Sequence, residues 1–261
     1  SHSAISLGLG LGGGKSATSS GSPGGTPFTN TLSCEFDPTA KERLTVPTDS
    51  SLNTTGSVSF SAWVYPDVID GYLRAIAAKR TSVNDWQLTV DQGKLSLYLF
   101  NSGVPSTIGS TNLTAGAWHH VAFTVEVATN GAKLYLNGNV DATTTPTSTS
   151  SNGAAGITIG NNENADSPAR FWDGKIDEVA WFHSALSASD ISTLRGGVDA
   201  GTLGQPADIS ALNPIGWWRM GDNNPASAGS NVPLITDAIT GTNNAVQATA
   251  SKQPILSTSV A

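Results

Sequence analysis

The chain has 261 residues, a formal net charge of −7, and only 13% charged side chains. That balance excludes a nucleic-acid backbone or an anionic membrane as partner, because both recruit clustered Lys and Arg and no basic run occurs. The single cysteine, Cys34, excludes an intrachain disulfide and is expected as a buried thiol.

Residues 1–27 are rich in Gly and Ser and bury too little to offset their ordering entropy unless something holds them. The stretch has no basic n-region, and glycine dilutes its apolar residues, so no secretory signal is read there. The expectation is a protein assembled in a cytoplasm, with this arm laid on a partner surface. From about residue 32 the pattern has period two. SVSFSAWVY places Val58, Phe60, Ala62 and Val64 on one face, and KLSLYLF groups Leu95, Leu97 and Leu99. WHHVAFTVEV aligns Val121, Phe123, Val125 and Val127, with His119 and His120 as strand filler on opposite faces. AKLYLNGNV carries Asn137-Gly138, which predicts a tight hairpin. GITIG and GKIDEVAWF add two more strands. Only ALSASDISTLRGG reads as a helix, with Ser187 and Asp190 at capping-box spacing and Gly196 ending it. Residues 196–214 form a Gly/Pro-bearing connector, and 215–261 are expected to complete the same body, since too few residues remain for a second core. The fold class is therefore all-β: a two-sheet antiparallel sandwich with a flexible N-terminal arm and one short helix.

FSAWVYP (60–66), TAGAWHHVAFTVE (114–126), AKLYLNGN (132–139), ITIGNN (157–162) and FWDGKIDEVAWFHSALSASDI (171–191) resemble, in order and spacing, the LamG-like, concanavalin A-like jelly-roll domains. LSCEFDPTAKERLTVP (32–47) is similar to that family's opening strand, with Pro38 where Gly is usual. The resemblance covers about residues 32–195, within a domain drawn at 28–195, and implies two stacked, curved sheets. Such domains occur in adhesins, as carbohydrate-binding modules of enzymes and in tailed-phage virions; the tail, GWWRMGD, looks most like the phage versions.

The adjacent carboxylates Asp177 and Glu178 are the first chemical question. Neighbours on a strand point to opposite faces, so the pair cannot flank one glycosidic bond as hydrolysis requires. Asp177 is then expected to face inward with Val179 and Trp181. The carboxylate array of the related glucanases is also missing: two before Asp177 stands Lys175, three after stands Ala180. No catalytic residue is assigned, and the chain is expected not to be an enzyme. The resemblance implies that Asp177, with Asp37 of the opening strand, helps hold a structural Ca²⁺; the alternative is that Asp177 caps backbone amides or pairs with an Arg. For sugars, the loop NNENADSPARFWD (161–173) offers flat rings and polar groups, so Trp172, Trp86, Asn161 and Asp166 are candidate contacts, against a plain role for the tryptophans in the core. The expected function is a structural body of a tailed-phage virion, located in the virion and joined to other virion proteins and to its own copies through residues 1–27. The alternative is a secreted or surface carbohydrate-binding module recognising host glycan.

Overall fold

The computed structural model describes residues 28–80, 85–100, 106–146, 154–162, 167–224 and 226–261. The arm 1–27 lies outside them. In chain order the strands are β1 (Ser33–Phe36), β2 (Leu44–Val46), β3 (Val58–Pro66), β4 (Leu73–Lys79), β5 (Trp86–Asp91), β6 (Lys94–Leu99), β7 (Thr107–Asn112) and β8 (His119–Glu126). There follow β9 (Gly131–Leu136), β10 (Asn139–Thr144), β11 (Ile157–Ile159), β12 (Gly174–Phe182), β13 (Gly216–Trp218), β14 (Leu234–Ile235), β15 (Ala245–Val246) and β16 (Ile255–Ser257). They pair into two eight-stranded sheets. The first runs β10-β9-β8-β3-β12-β1-β16, with β13 also on β12; the second runs β14-β15-β2-β11-β4-β5-β6-β7. All of these pairings are antiparallel. The fold is the expected jelly-roll sandwich.

Period-two patterning sets the layers. On β3, Phe60, Ala62 and Val64 enter the main core, and across the sandwich β5 contributes Trp86, Leu88 and Val90. Phe60, Trp86, Phe123 and Trp181 interlock there, with ring centroids 5.0 Å (Trp86–Phe123) and 5.4 Å (Trp86–Trp181) apart. Truncating one such ring to alanine costs about 3–5 kcal/mol. The Asn137-Gly138 hairpin forms as read, with φ of 49° and 82°. Gly138 has a second reason to be glycine: a Cβ there would lie 2.1 Å from the Arg195 guanidinium that covers the turn.

The outer face of the first sheet is itself covered. Helix α1 (Ala188–Thr193) begins with the capping box of Ser187 and Asp190. A second apolar cluster joins Ile191 and Leu194 to Ala180, Phe182, Ile209 and Trp217. Residues 196–214 are thus more than a connector, because Ile209 is buried in that cover. The C-terminal segment serves both sheets, through β13 and β16 in the first and β14 and β15 in the second. The family-like opening stretch divides, with β1 in the first sheet and β2 in the second.

Candidate functional site

The acid pair sits at a seam. β1 pairs with the first part of β12 (Cys34 opposite Ile176), and β13 pairs with the last part (Val179 opposite Trp218). Between them, Asp177 and Glu178 have no ladder partner on that side. Toward β3 the register slips: Asp177 faces Trp63, but Ala180 faces Ser61. One extra residue is a β-bulge, and Glu178 takes it up with φ of 46°, a left-handed conformation that costs a non-glycine residue of order 1 kcal/mol.

The bulge overturns the expectation of opposed side chains. Ile176 and Val179 both enter the core, so Asp177 and Glu178 both turn to the outer face, and Asp177 does not share the side of Val179 and Trp181. The acids converge, but under cover. Glu178 Oε1 accepts from Arg219 Nε at 3.0 Å, and Oε2 accepts from Trp217 Nε1 at 2.6 Å. Asp177 Oδ1 accepts from the Glu178 amide at 2.8 Å, which replaces the missing ladder bond, and Oδ2 accepts from Asn30 Nδ2 at 3.0 Å. Arg219 also donates to the Thr29 carbonyl, and its guanidinium lies 4.4 Å from the Phe28 ring centroid and 5.1 Å from that of Trp217. Thr31 N donates to Asp222 at 2.9 Å. Residues 28–31 are therefore a strap clasped to the C-terminal segment through the bulge.

Burial, and then the neighbouring Glu178, push the Asp177 carboxyl well above its usual range. Burial raises Glu178 to about 7 despite the bonds from Arg219 and Trp217. A protonated Asp177 needs an acceptor, and turning the Asn30 amide about its axis would supply Asn30 Oδ1, which is buried without a partner as placed. Both acids are spent on the clasp: Asp177 is fully buried, and the cavity that Glu178 lines beside Trp63 and Ile209 is about 10 Å³, room for one water and not for a sugar ring. Cys34 is buried nearby, with its thiol pushed up chiefly by burial.

Asp37 lies elsewhere, just beyond the Phe36–Gly174 end of the β1–β12 ladder, so it stands about 10 Å or more along the strands from Asp177. The two cannot share an ion, and both Asp177 oxygens already accept protein donors, so the Ca²⁺ pairing drawn from the family resemblance does not fit. Asp37 instead opens on an edge cleft of about 310 Å³ with Glu35, Glu42, Asp67 and Asp173. Thr39 holds its carboxyl low by hydrogen bonding, while burial raises Glu42 to about 7. Among the described residues no group of three or more His, Cys, Asp or Glu could hold a metal ion.

The sugar candidates need the same correction. Trp86 and Trp172 are each 1% exposed, and Asn161 is fully buried, so neither indole offers a face to a ring. Trp86 belongs to the aromatic core, and Trp172 Nε1 donates to the Lys175 carbonyl at 3.2 Å. Asp166 lies outside the described residues. The neighbouring Asn162 instead contributes to a cluster on the outer face of the second sheet. There Gln87 stands opposite both Tyr98 and Ala78, away from the core-facing Trp86 and Leu88. Tyr98 and Phe100 are half-buried and lie nearly parallel, with centroids 6.3 Å apart. The Arg80 guanidinium lies 4.5 Å from the Phe100 centroid and donates to Gln87 Oε1 at 3.2 Å; Asn162 Nδ2 donates to the same oxygen at 3.1 Å. Sequence reading passes over these residues, although a pattern that sends Leu95, Leu97 and Leu99 inward already sends Ser96, Tyr98 and Phe100 outward.

Two antiparallel sheets closed on an aromatic core make a jelly-roll sandwich of the concanavalin A-like class. The chain belongs to the concanavalin A-like lectin/glucanases superfamily, whose family model Laminin_G_3 matches residues 38–192. No curated protein shows significant sequence similarity to it. Among solved structures it is similar to a candidate carbohydrate binding protein from Bacteroides ovatus (TM-score 0.65, 18% identity), with 88% of this chain covering 60% of that one. It is also similar to the binding domain of Paraclostridial Mosquitocidal Protein 1 (TM-score 0.51, 14% identity), covering 61% of this chain and 42% of that one. A looser match is Domain 4 of AbnA, a GH43 extracellular arabinanase from Geobacillus stearothermophilus in complex with arabinotriose (TM-score 0.42, 22% identity, 55% and 68% covered). At these identities the likeness is one of fold.

Proposed function

We propose that this chain is a non-catalytic carbohydrate-binding module whose recognition surface is the outer face of the second sheet. The observation that carries the reading is the Tyr98–Phe100 ring pair set beside Gln87, Asn162 and Arg80. Flat rings take the apolar face of a pyranose and the half-buried Arg80 guanidinium bonds its hydroxyls, while Gln87 and Asn162, buried at 4% and 2% exposure, brace that guanidinium through Gln87 Oε1. The Bacteroides ovatus neighbour, described as a carbohydrate binder, supports the same direction. The acids that could suggest hydrolysis are enclosed in the strap. Mounting on a virion through residues 1–27, with host polysaccharide as target, would join both expectations from the sequence.

The test is a polysaccharide panel in affinity gel electrophoresis with the wild type and Tyr98→Ala. Retention that falls at least tenfold in the variant supports the reading. Absence of retention, or equal retention of both proteins without product release, overturns it.

A further inference from the structure

Independently of the glycan reading, we infer that Lys79 and Asn53 become joined by an intramolecular isopeptide bond, made by the folded chain itself with Asp85 as proton carrier. Lys79 ends β4, Asp85 stands just before β5, and the Asp85 amide donates to the Lys79 carbonyl at 3.1 Å. The side chains of this pair are 2% and 6% exposed, and Lys79 Nζ lies 3.2 Å from Asp85 Oδ2. Nζ also donates to Asn53 Oδ1 at 2.9 Å. Since a C=O bond is about 1.2 Å long, Nζ is within about 4 Å of Asn53 Cγ, close to the ~3–3.5 Å of a near-attack contact. Asn53 is fixed from its own side. It caps the short turn Ser50–Leu52, its backbone amide donates to the Ser50 carbonyl at 3.2 Å, and its Nδ2 donates to the Asp49 carbonyl at 3.4 Å. The preceding Leu52 carbonyl accepts from Trp181 Nε1 of the aromatic core at 3.3 Å. An amine, a carboxamide and a carboxylate are thus gathered at one end of the sandwich.

The step balances without a co-reactant. Nζ passes a proton to Asp85, and the free amine attacks Asn53 Cγ, forming the new C–N bond. Asp85 delivers that proton to Nδ2, the Cγ–Nδ2 bond breaks, and its electron pair leaves with ammonia. Of the three Nζ protons, one stays in the new amide, one departs on the ammonia, and one remains on Asp85 until solvent takes it. One carboxamide replaces another, so nothing is oxidised or reduced. Burial favours the reaction, because proton transfer turns a buried ion pair into a neutral one and a desolvated amine is an activated nucleophile. A cavity of about 20 Å³, lined in part by Leu52, Asp85 and Trp86, has room for a water-sized molecule such as the departing ammonia. The product ties the crossover between β2 of the second sheet and β3 of the first to the β4–β5 hairpin. It does so in a chain whose single cysteine excludes an intrachain disulfide.

The experiment is mass spectrometry of the full chain, purified in its folded state. The intact mass is expected to fall below that of the sequence by one ammonia. Trypsin should then release residues 44–74, which contain Asn53, joined to residues 75–80, uncut after Lys79. Recovery of 44–74 as a linear peptide, with cleavage after Lys79, overturns the inference and leaves a plain buried ion pair. Succinimide formation at Asn137-Gly138 also expels ammonia, but it leaves 44–74 linear, so the peptide map separates the two events. Asp85→Asn keeps the shape of the side chain and removes the proton carrier, so the yield of joined peptide should fall about tenfold or more. An undiminished yield in that variant overturns the role given to Asp85. If Asp85→Asn does not fold, the wild-type peptide map alone decides between bond and ion pair.

Discussion

The two outer faces of the sandwich carry similar side chains and use them differently. On the first sheet, Arg219 lies between Phe28 and Trp217 and is bonded to Glu178, with every partner supplied by the chain. On the second, Arg80 lies against Phe100 beside Tyr98, with the rings half-buried and the neighbouring Ser96 hydroxyl unpartnered. An arginine on an aromatic ring does not by itself mark a binding surface. What separates the two faces is cover: Glu178 and Trp217 are buried beneath the strap and the α1 cluster, whereas Tyr98 and Phe100 stay half-buried.

The contrast can be broken most sharply at Glu178. Glu178→Ala leaves Arg219 buried with a weaker partner set and should cost about 3 kcal/mol, read as a lower urea midpoint at unchanged slope. If stability barely moves, the clasp is ornamental. Next in size is the strap. A chain starting at Phe28 should unfold like the full protein, whereas one starting at Leu32 should lose about 2 kcal/mol, since it forfeits the Phe28 contacts and the bonds from Asn30 and Thr31. Equal midpoints for the two truncations would remove the strap from the account. Tyr98→Ala should invert this profile, with a stability change within about 1 kcal/mol and a large loss of glycan retention.

The smallest effect is that of pH. The folded value of Glu178, about 7, lies above its reference value of 4.5, so the unfolded chain gives up that proton first. The contribution is complete below about pH 4.5 and is lost as pH rises toward 7. Asp177 shifts in the same direction, as does Glu42, to about 7. Urea midpoints should therefore be higher at pH 5 than at pH 8, and Glu178→Gln should flatten the difference. A midpoint that rises with pH would contradict the buried acids.

The sandwich, the Asn137-Gly138 hairpin and the Ser187 capping box are legible in the sequence because each is fixed by residues within a few positions of one another. The bulge at Glu178 is not. Its cause is the seam between β1 and β13 and the reach of Trp217 and Arg219, some forty residues downstream, and nothing in GKIDEVAWF records that. Trp86 and Trp172 were open to two readings because an indole suits a core as well as a sugar, and burial decides between them only after folding. Tyr98 and Phe100 were readable in principle as the alternate positions of a strand whose leucines point inward. What hides them is that period two tells which residues leave the core, not which of those meet a partner.

The pairing of β16 with β1 has a consequence for how the body can be carried. Ser33 stands opposite Ser257, and its hydroxyl donates to the Ser259 carbonyl at 2.6 Å, so the chain enters and leaves the folded unit at neighbouring points. A unit whose ends meet can be spliced into a surface loop of a host protein without prying the loop apart, or hung from a single stalk.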